Sequence, residues 1–582
     1  MNETWKKNNW NAAWSVAAIG FLCLIGPCWG DDEAARILFG GKIVTVDQET
    51  PSAEWIALRG DRVQALGKGD DYQQHVGPKT QVVDLKGRLV IPGFIESHAH
   101  FVGLGQSRMM LDLTKAKTWD DIVRDVALAA KVKKPGEWII GRGWHQEKWT
   151  SPPENHVDGY PTHASLSAVS PSNPVLLTHA SGHMSFANAY AMQLSSITAQ
   201  TKNPNGGEVL HDNQGEPSGV LRETAQGLLG RAIAADERRL TPEQKWSDFQ
   251  KAVQLATDDC LKHGITSLHD AGSELSTIDG LKRLADERQL RLRLYVMIRD
   301  SNLLLAQNLK SRRLIGHANN FLTVRAIKRS IDGALGAHGA WLLSPYEDMP
   351  TSVGLNTSSI ESVEETARLA AENDYQLCVH AIGDKANQAV LDIYEKQFAK
   401  TPSTEARRWR IEHAQHLDPT DITRFGKLGV IAAMQGIHCT SDAVFVTQRL
   451  GMRRAQSGAY VWKSLLDSGA VVCNGTDAPV EPIDPISCFY ATVTRRLPDG
   501  VTFFPEQCMT RAQALRSYTL DGAYAAFEED LKGSLTPGKL ADLVVLSKDI
   551  MTCPDDEIRQ AEVVATIVGG EIQYQNESLW KP

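Results

Sequence analysis

His98 and His100 close the run Val90-Ile-Pro-Gly-Phe-Ile-Glu-Ser-His-Ala-His100. A two-residue spacing at the end of an apolar, β-like stretch puts both imidazoles on one side of a strand. Neutral ring nitrogens held together in this way suit zinc, iron, manganese or nickel. Four further runs end in residues of similar chemistry. Phe321 to Lys328 ends in a lysine shortly before Asp332, and Gln376-Leu-Cys-Val-His380 ends in a histidine. Arg410-Ile-Glu-His413 ends in another histidine, and Val471 to Asp477 ends in a carboxylate. Singly, each has a plain structural reading: a surface cation, a hydrogen-bonded strand-end histidine, or an aspartate opening a turn. Jointly they share one position, the end of a strand-like run, and that common placement points to a metal centre.

Something must bring these ends together. Between about residues 243 and 475 the chain alternates strand-like runs, near 264–269, 291–298, 321–328, 375–380, 407–413, 428–434 and 469–475, with helical stretches such as 243–262, 276–289, 360–373 and 383–399. Alternation on this scale predicts a parallel sheet, and about eight units fit a (β/α)8 TIM-like barrel. A doubly wound open sheet is the alternative, but no glycine-rich phosphate loop follows a strand. The barrel spans residues 92–530, with a long insertion at about 104–225 after its first strand. Short β-like runs with Gly-Gly and Gly-Asp hairpin steps occupy residues 31–91. Residues 531–582 have the same character, which predicts a small β-sandwich domain built from both chain ends.

The 582 residues, 42% hydrophobic and 23% charged, have an ordinary globular composition. A net charge of −9 without a long basic run argues against nucleic acid as a partner. At the N-terminus, Lys6 and Lys7 precede an apolar stretch from Ala12 to Ile25 and then Gly-Pro-Cys-Trp-Gly30. This pattern reads as a secretory signal peptide over residues 1–30, with an uncleaved membrane anchor as the alternative. Export to the periplasm or outside the cell follows from it. The seven cysteines beyond it are scattered and form neither a disulfide framework nor a paired metal motif.

The chain resembles the amidohydrolase superfamily of metal-dependent hydrolases, and within it amidohydrolase family 3, the group with N-substituted formamide deformylases. The resemblance rests on Pro92 to His100, Gly141-Arg-Gly-Trp144, Gly182-His183, Lys328 to Gly333, His380-Ala-Ile-Gly-Asp384, Arg410 to Gln415, Gly475 to Val480 and Pro537 to Asp542. It implies one or two divalent metal ions, zinc first, with iron, manganese or nickel as alternatives. His98, His100 and Asp477 would hold one ion and His380 and His413 the second, with a CO2-derived carboxylated Lys328 as the bridge. A metal-activated hydroxide would then attack a non-peptide C–N bond of an amide, N-formyl compound or cyclic amide. Asp477 would carry the proton to the leaving nitrogen, and His183 would polarise the carbonyl or orient the substrate. Trp144, Asp332, Asp384 and His416 are candidates for positions around a small-molecule substrate; a homo-oligomer is open.

Three departures from the family pattern bear on substrate rather than ligands. Glu96 stands where aspartate is usual, His179-Ala-Ser181 replaces Arg-x-Asp before Gly182, and Gly436 replaces proline after Gln435. Two competing readings remain: an esterase, lactonase or dehydratase on the same barrel, and a non-catalytic exported binding protein.

Overall fold

The computed structural model describes residues 33–580 apart from 145, 147–148, 180–183, 205–206, 239, 337, 404–405 and 579. The N-terminal segment read as a signal peptide, and His183, therefore lie outside the described residues.

Eight parallel strands form the centre: β1 (Phe94–Ala99), β2 (Ile265–Ser273), β3 (Arg293–Ile298), β4 (Leu322–Ser330), β5 (Gln376–Ala381), β6 (Arg410–His413), β7 (Ile431–Gln435) and β8 (Val472–Gly475). Each pairs in parallel with its sequence neighbour, from β1–β2 round to β7–β8. The ring closes just past the strand ends. The Asp477 amide donates to the His98 carbonyl at 2.7 Å and the His100 amide to the Ala478 carbonyl at 2.8 Å. Glycine is required at the seam, because a Cβ on Gly475 would lie 2.4 Å from Glu96 Oε1 and 2.6 Å from the His98 nitrogen. The expected strands match seven of the eight, and the His98–His100 run supplies the eighth.

Helices cover the outside for the usual amphipathic reason. Leu275–Asp286 turns Ile278, Leu281, Leu284 and Ala285 inward, and Ile360–Glu372 turns Val363, Ala367 and Ala370. Pro242–Lys262 starts at a Thr241–Gln244 capping box with proline in its first turn, so its N-terminus is where those residue types predict it.

The chain ends form one eight-stranded sheet. Its N-terminal strands are Arg36–Val44, Ser52–Arg59, Arg62–Gly67, Gln81–Asp84 and Leu89–Pro92, and its C-terminal strands are Leu543–Leu546, Val563–Val568 and Glu571–Gln575. Leu89–Pro92 pairs antiparallel with Leu543–Leu546, which joins the two ends. Arg293 at the start of β3 locks this sheet to the barrel through a buried ion pair with Asp542, Nε to Oδ2 2.7 Å. The insertion carries its own six-stranded mixed sheet, from Leu111–Asp112 to Pro217–Glu223.

Candidate metal centre

A parallel barrel aims the C-terminal ends of its strands at one face. His98 is the last residue but one of β1, Lys328 lies near the end of β4, His380 near the end of β5, His413 ends β6, and Asp477 follows β8 by two residues. Five residues widely separated in the sequence thereby meet, and His100, two residues after His98, joins them. His98 Nε2 and His100 Nε2 stand 3.5 and 3.3 Å from Asp477 Oδ1, and Lys328 Nζ is 3.4 Å from His98 Nε2. The His413 ring lies 4.6 Å from that of His98 and 4.5 Å from that of His380, centroid to centroid.

The remaining ring atoms determine what these histidines offer. His98 Nδ1 is engaged by the Glu412 carboxylate and His413 Nδ1 sits 2.8 Å from Gln435 Oε1. Each acceptor fixes the proton on Nδ1, which leaves the Nε2 lone pair free for an ion. Arg410 holds Glu412 in turn, Nε to Oε1 at 2.7 Å, while its Nη2 donates to the Ser97 carbonyl at 2.7 Å. His98, His100 and Asp477 present ligand atoms within 4.8 Å of one another, and Asp477 Oδ1 and His380 Nε2 are buried with no hydrogen-bond partner among the described residues. The residues present fit a divalent ion.

Protonation states agree with this. Burial, with the nearby Lys328, lowers His98 to about 4, and burial beside His380 and His98 holds His413 well below the usual histidine range. Burial also lowers Lys328. For Asp477 burial pushes the carboxyl up, but His100, His98 and His413 outweigh it and keep it ionised.

His100, Lys328, His380, His413 and Asp477 line a cavity of about 430 Å³ that also contains Arg299, Gln415, His438, Asp442 and Glu481. The family model described as the amidohydrolase family matches residues 81–574. The chain belongs to that family. It is 32% identical over 557 residues to the protein LONG AFTER FAR-RED 3 of Arabidopsis thaliana, covering 93% of this chain and 92% of that one. It is 27% identical over 548 residues to the N-substituted formamide deformylase of Arthrobacter pascens, covering 93% and 98%. A crystal structure of an uncharacterized metal-dependent hydrolase from Pyrococcus horikoshii superposes with a TM-score of 0.72 at 26% identity, covering 90% of this chain and 99% of that one. The chain is accordingly a metal-dependent hydrolase of the kind that acts on non-peptide C–N bonds.

Four other residues singled out in this amidohydrolase's sequence sit elsewhere than at the cavity. Trp144 is fully buried inside the insertion, its Nε1 donating to the Leu177 carbonyl at 3.0 Å, with His179, Trp149 and Phe186 around it. Asp332 accepts the backbone amides of Ile382, Gly383 and Trp341 at 3.0, 2.8 and 2.9 Å, so it ties the loop after β4 to the end of β5. It also lies 3.4 Å from His380 Nε2. Asp384 begins a helix and accepts the Leu343 amide at 2.8 Å. His416 is buried against Tyr460, and neither ring nitrogen has a partner among the described residues.

Other residues emerge from the structure. Glu412 and Arg410 lie inside a run that draws attention for its terminal histidine; the missed signal is an opposite-charge pair two residues apart, on one face of a buried strand. His438 is the second. Its Nδ1 is 3.0 Å from Gln415 Nε2, which donates to it, so the ring proton sits on Nε2. That atom is buried without a partner among the described residues, and the side chain lines the cavity.

Proposed function

We propose that this amidohydrolase cleaves an amide, N-formyl or cyclic amide bond of a small molecule, and that zinc ions held by His98, His100, Asp477, His380 and His413 with a carboxylated Lys328 make it competent. The observation that carries the proposal is the convergence of the fixed-tautomer imidazoles of His98 and His413 with an ionised, unpartnered Asp477 oxygen, His413 and Asp477 lining the cavity. A divalent ion in this place supplies charge that acidifies water and polarises a carbonyl.

The side chains do the rest. Asp477, facing the cavity between His98 and His100, takes the proton of the attacking water and passes it to the leaving nitrogen. His438 donates its Nε2 proton to the oxygen that gains charge, a role for a preorganised donor in a closed site. Lys328 is buried with its amine shifted toward the neutral form, the form that reacts with CO2. The basic and apolar runs of residues 1–30 support export of the mature enzyme.

Metal analysis of freshly purified protein, joined to amine release from a panel of N-formyl and N-acyl amines, tests the reading. Stoichiometric zinc and amine release abolished by chelation are expected. A metal-free protein releasing no amine would overturn it, and ester or lactone turnover without amide turnover would replace the substrate class.

A further inference from the structure

Arg299 follows β3 directly and so stands at the catalytic face of the barrel, where it lines the same cavity as His100, Lys328 and His380. Its neighbour Arg329 is fully occupied, donating to Thr366, Asn302 and the Lys328 carbonyl. Arg299 differs. Its backbone amide is anchored to the Ser273 carbonyl at 2.9 Å, yet its guanidinium makes no ion pair or hydrogen bond among the described residues.

The arm has a seat built for it. Gly272, near the end of β2, has a φ of +127°, and a Cβ there would lie 2.9 Å from Arg299 Cδ, 3.1 Å from its Cβ and 3.2 Å from Lys328 Cγ. The missing side chain lets the arginine stem lie against the strand, next to Lys328. A guanidinium is always charged and presents a planar fork that matches a carboxylate. The other charged groups of the cavity outside the metal centre are Asp442, which accepts the Tyr460 hydroxyl at 2.6 Å, and Glu481. Both repel an anion, so an anionic ligand is directed to the Arg299 side.

We propose that Arg299 is a specificity residue that holds a carboxylate of the substrate, so that the preferred amides are N-acylated amino acids or related acylated amines bearing one carboxylate. The inference rests on the amide-hydrolase reading and narrows its substrate class. A cavity of about 430 Å³ is in the range of small-molecule sites.

The test pairs N-formyl and N-acetyl amino acids of both configurations with the matching N-acylated amino alcohols, which lack only the carboxylate. The zinc-loaded wild-type enzyme is expected to favour the acid through KM. The acid-to-alcohol ratio of kcat/KM should fall about 10- to 100-fold in Arg299→Gln, the scale of a lost charged hydrogen-bond pair. Arg299→Lys, which keeps charge but not the fork, should fall between. Metal content and thermal midpoint show that each variant is folded. A wild-type enzyme indifferent to the carboxylate, or a ratio unmoved in a folded, metal-loaded Arg299→Gln, would overturn the proposal while leaving amide hydrolysis intact. If the wild type hydrolyses no pair, the hydrolytic reading fails, and calorimetric binding of the same pairs decides the role of Arg299. Tighter binding of the acid that vanishes in Arg299→Gln supports it, and equal binding overturns it.

Discussion

Glu412 engages Nδ1 of His98, and both side chains are buried. The carboxylate is therefore part of the metal centre without facing the cavity. It sets the tautomer of His98, holds the ring in one orientation and raises the basicity of Nε2. Arg410, ion-paired to Glu412 at 2.7 Å, keeps that carboxylate charged where burial alone would neutralise it.

Glu412→Gln should consequently weaken metal binding about 10- to 100-fold, the usual cost of removing an outer partner from a ligating histidine. Competition with a chromophoric chelator measures it. Affinity equal to wild type would mean that His98 is held by packing alone.

The Arg293–Asp542 pair makes a separate claim, about stability. Both side chains are almost wholly buried, and Asp542 also accepts the Gly569 amide at 2.8 Å. Asp542→Ala leaves a buried guanidinium uncompensated and should cost about 3–5 kcal/mol in chemical denaturation. A loss under about 1 kcal/mol would show that water reaches Arg293 from the sheet side.

The barrel was legible because strand and helix periods differ and because chemistry sat where each strand stopped. His98, Lys328, His380, His413 and Asp477 each lie at or just past a strand end, and the fold needs only parallel pairing to gather them. Trp144 was less legible. Its motif sits in the insertion, whose position over the barrel has no periodic signature, and an indole with one polar atom satisfies itself inside a core as readily as at a ligand. Asp332 misleads for another reason: a carboxylate just past a strand looks alike whether it faces substrate or three backbone amides. Arg299 gave no sequence signal, because an unpaired arginine is recognised only when its surroundings are known.

His438 carries a prediction about rate. With Gln415 donating to Nδ1, the ring is a fixed donor toward the cavity. His438→Ala should lower kcat about 100-fold with zinc content retained, since one preorganised donor contributes about 10²–10³. Metal analysis beside steady-state kinetics separates this from a ligand role, in which zinc would be lost as well.

Lys328→Met should lower bound metal and turnover together, because a thioether supplies no bridging oxygen. If the lysine is carboxylated, short carboxylates such as formate or acetate should restore part of the activity to this variant. Mass spectrometry of the native wild-type protein should show one CO2 gained. Turnover in Lys328→Met equal to wild type would remove the bridge.

Glu96 gives a prediction in pH. Its Oε1 accepts the Thr476 amide at 2.7 Å, but burial dominates and raises the carboxyl from 4.5 to about 8. The folded state thus keeps a proton that the unfolded chain releases above pH 4.5. The resulting stabilisation is complete below that pH and declines, by about 1.4 kcal/mol per pH unit, as pH rises toward 8. Glu96→Gln resembles the protonated carboxyl and does not titrate. Titration of His98 and Lys328 is common to both proteins and largely cancels in their difference. For the chelated, metal-free proteins, denaturation midpoints should therefore diverge between pH 5 and 8, with Glu96→Gln gaining on the wild type as pH rises. Parallel curves across that window would show that Glu96 is ionised in the folded enzyme.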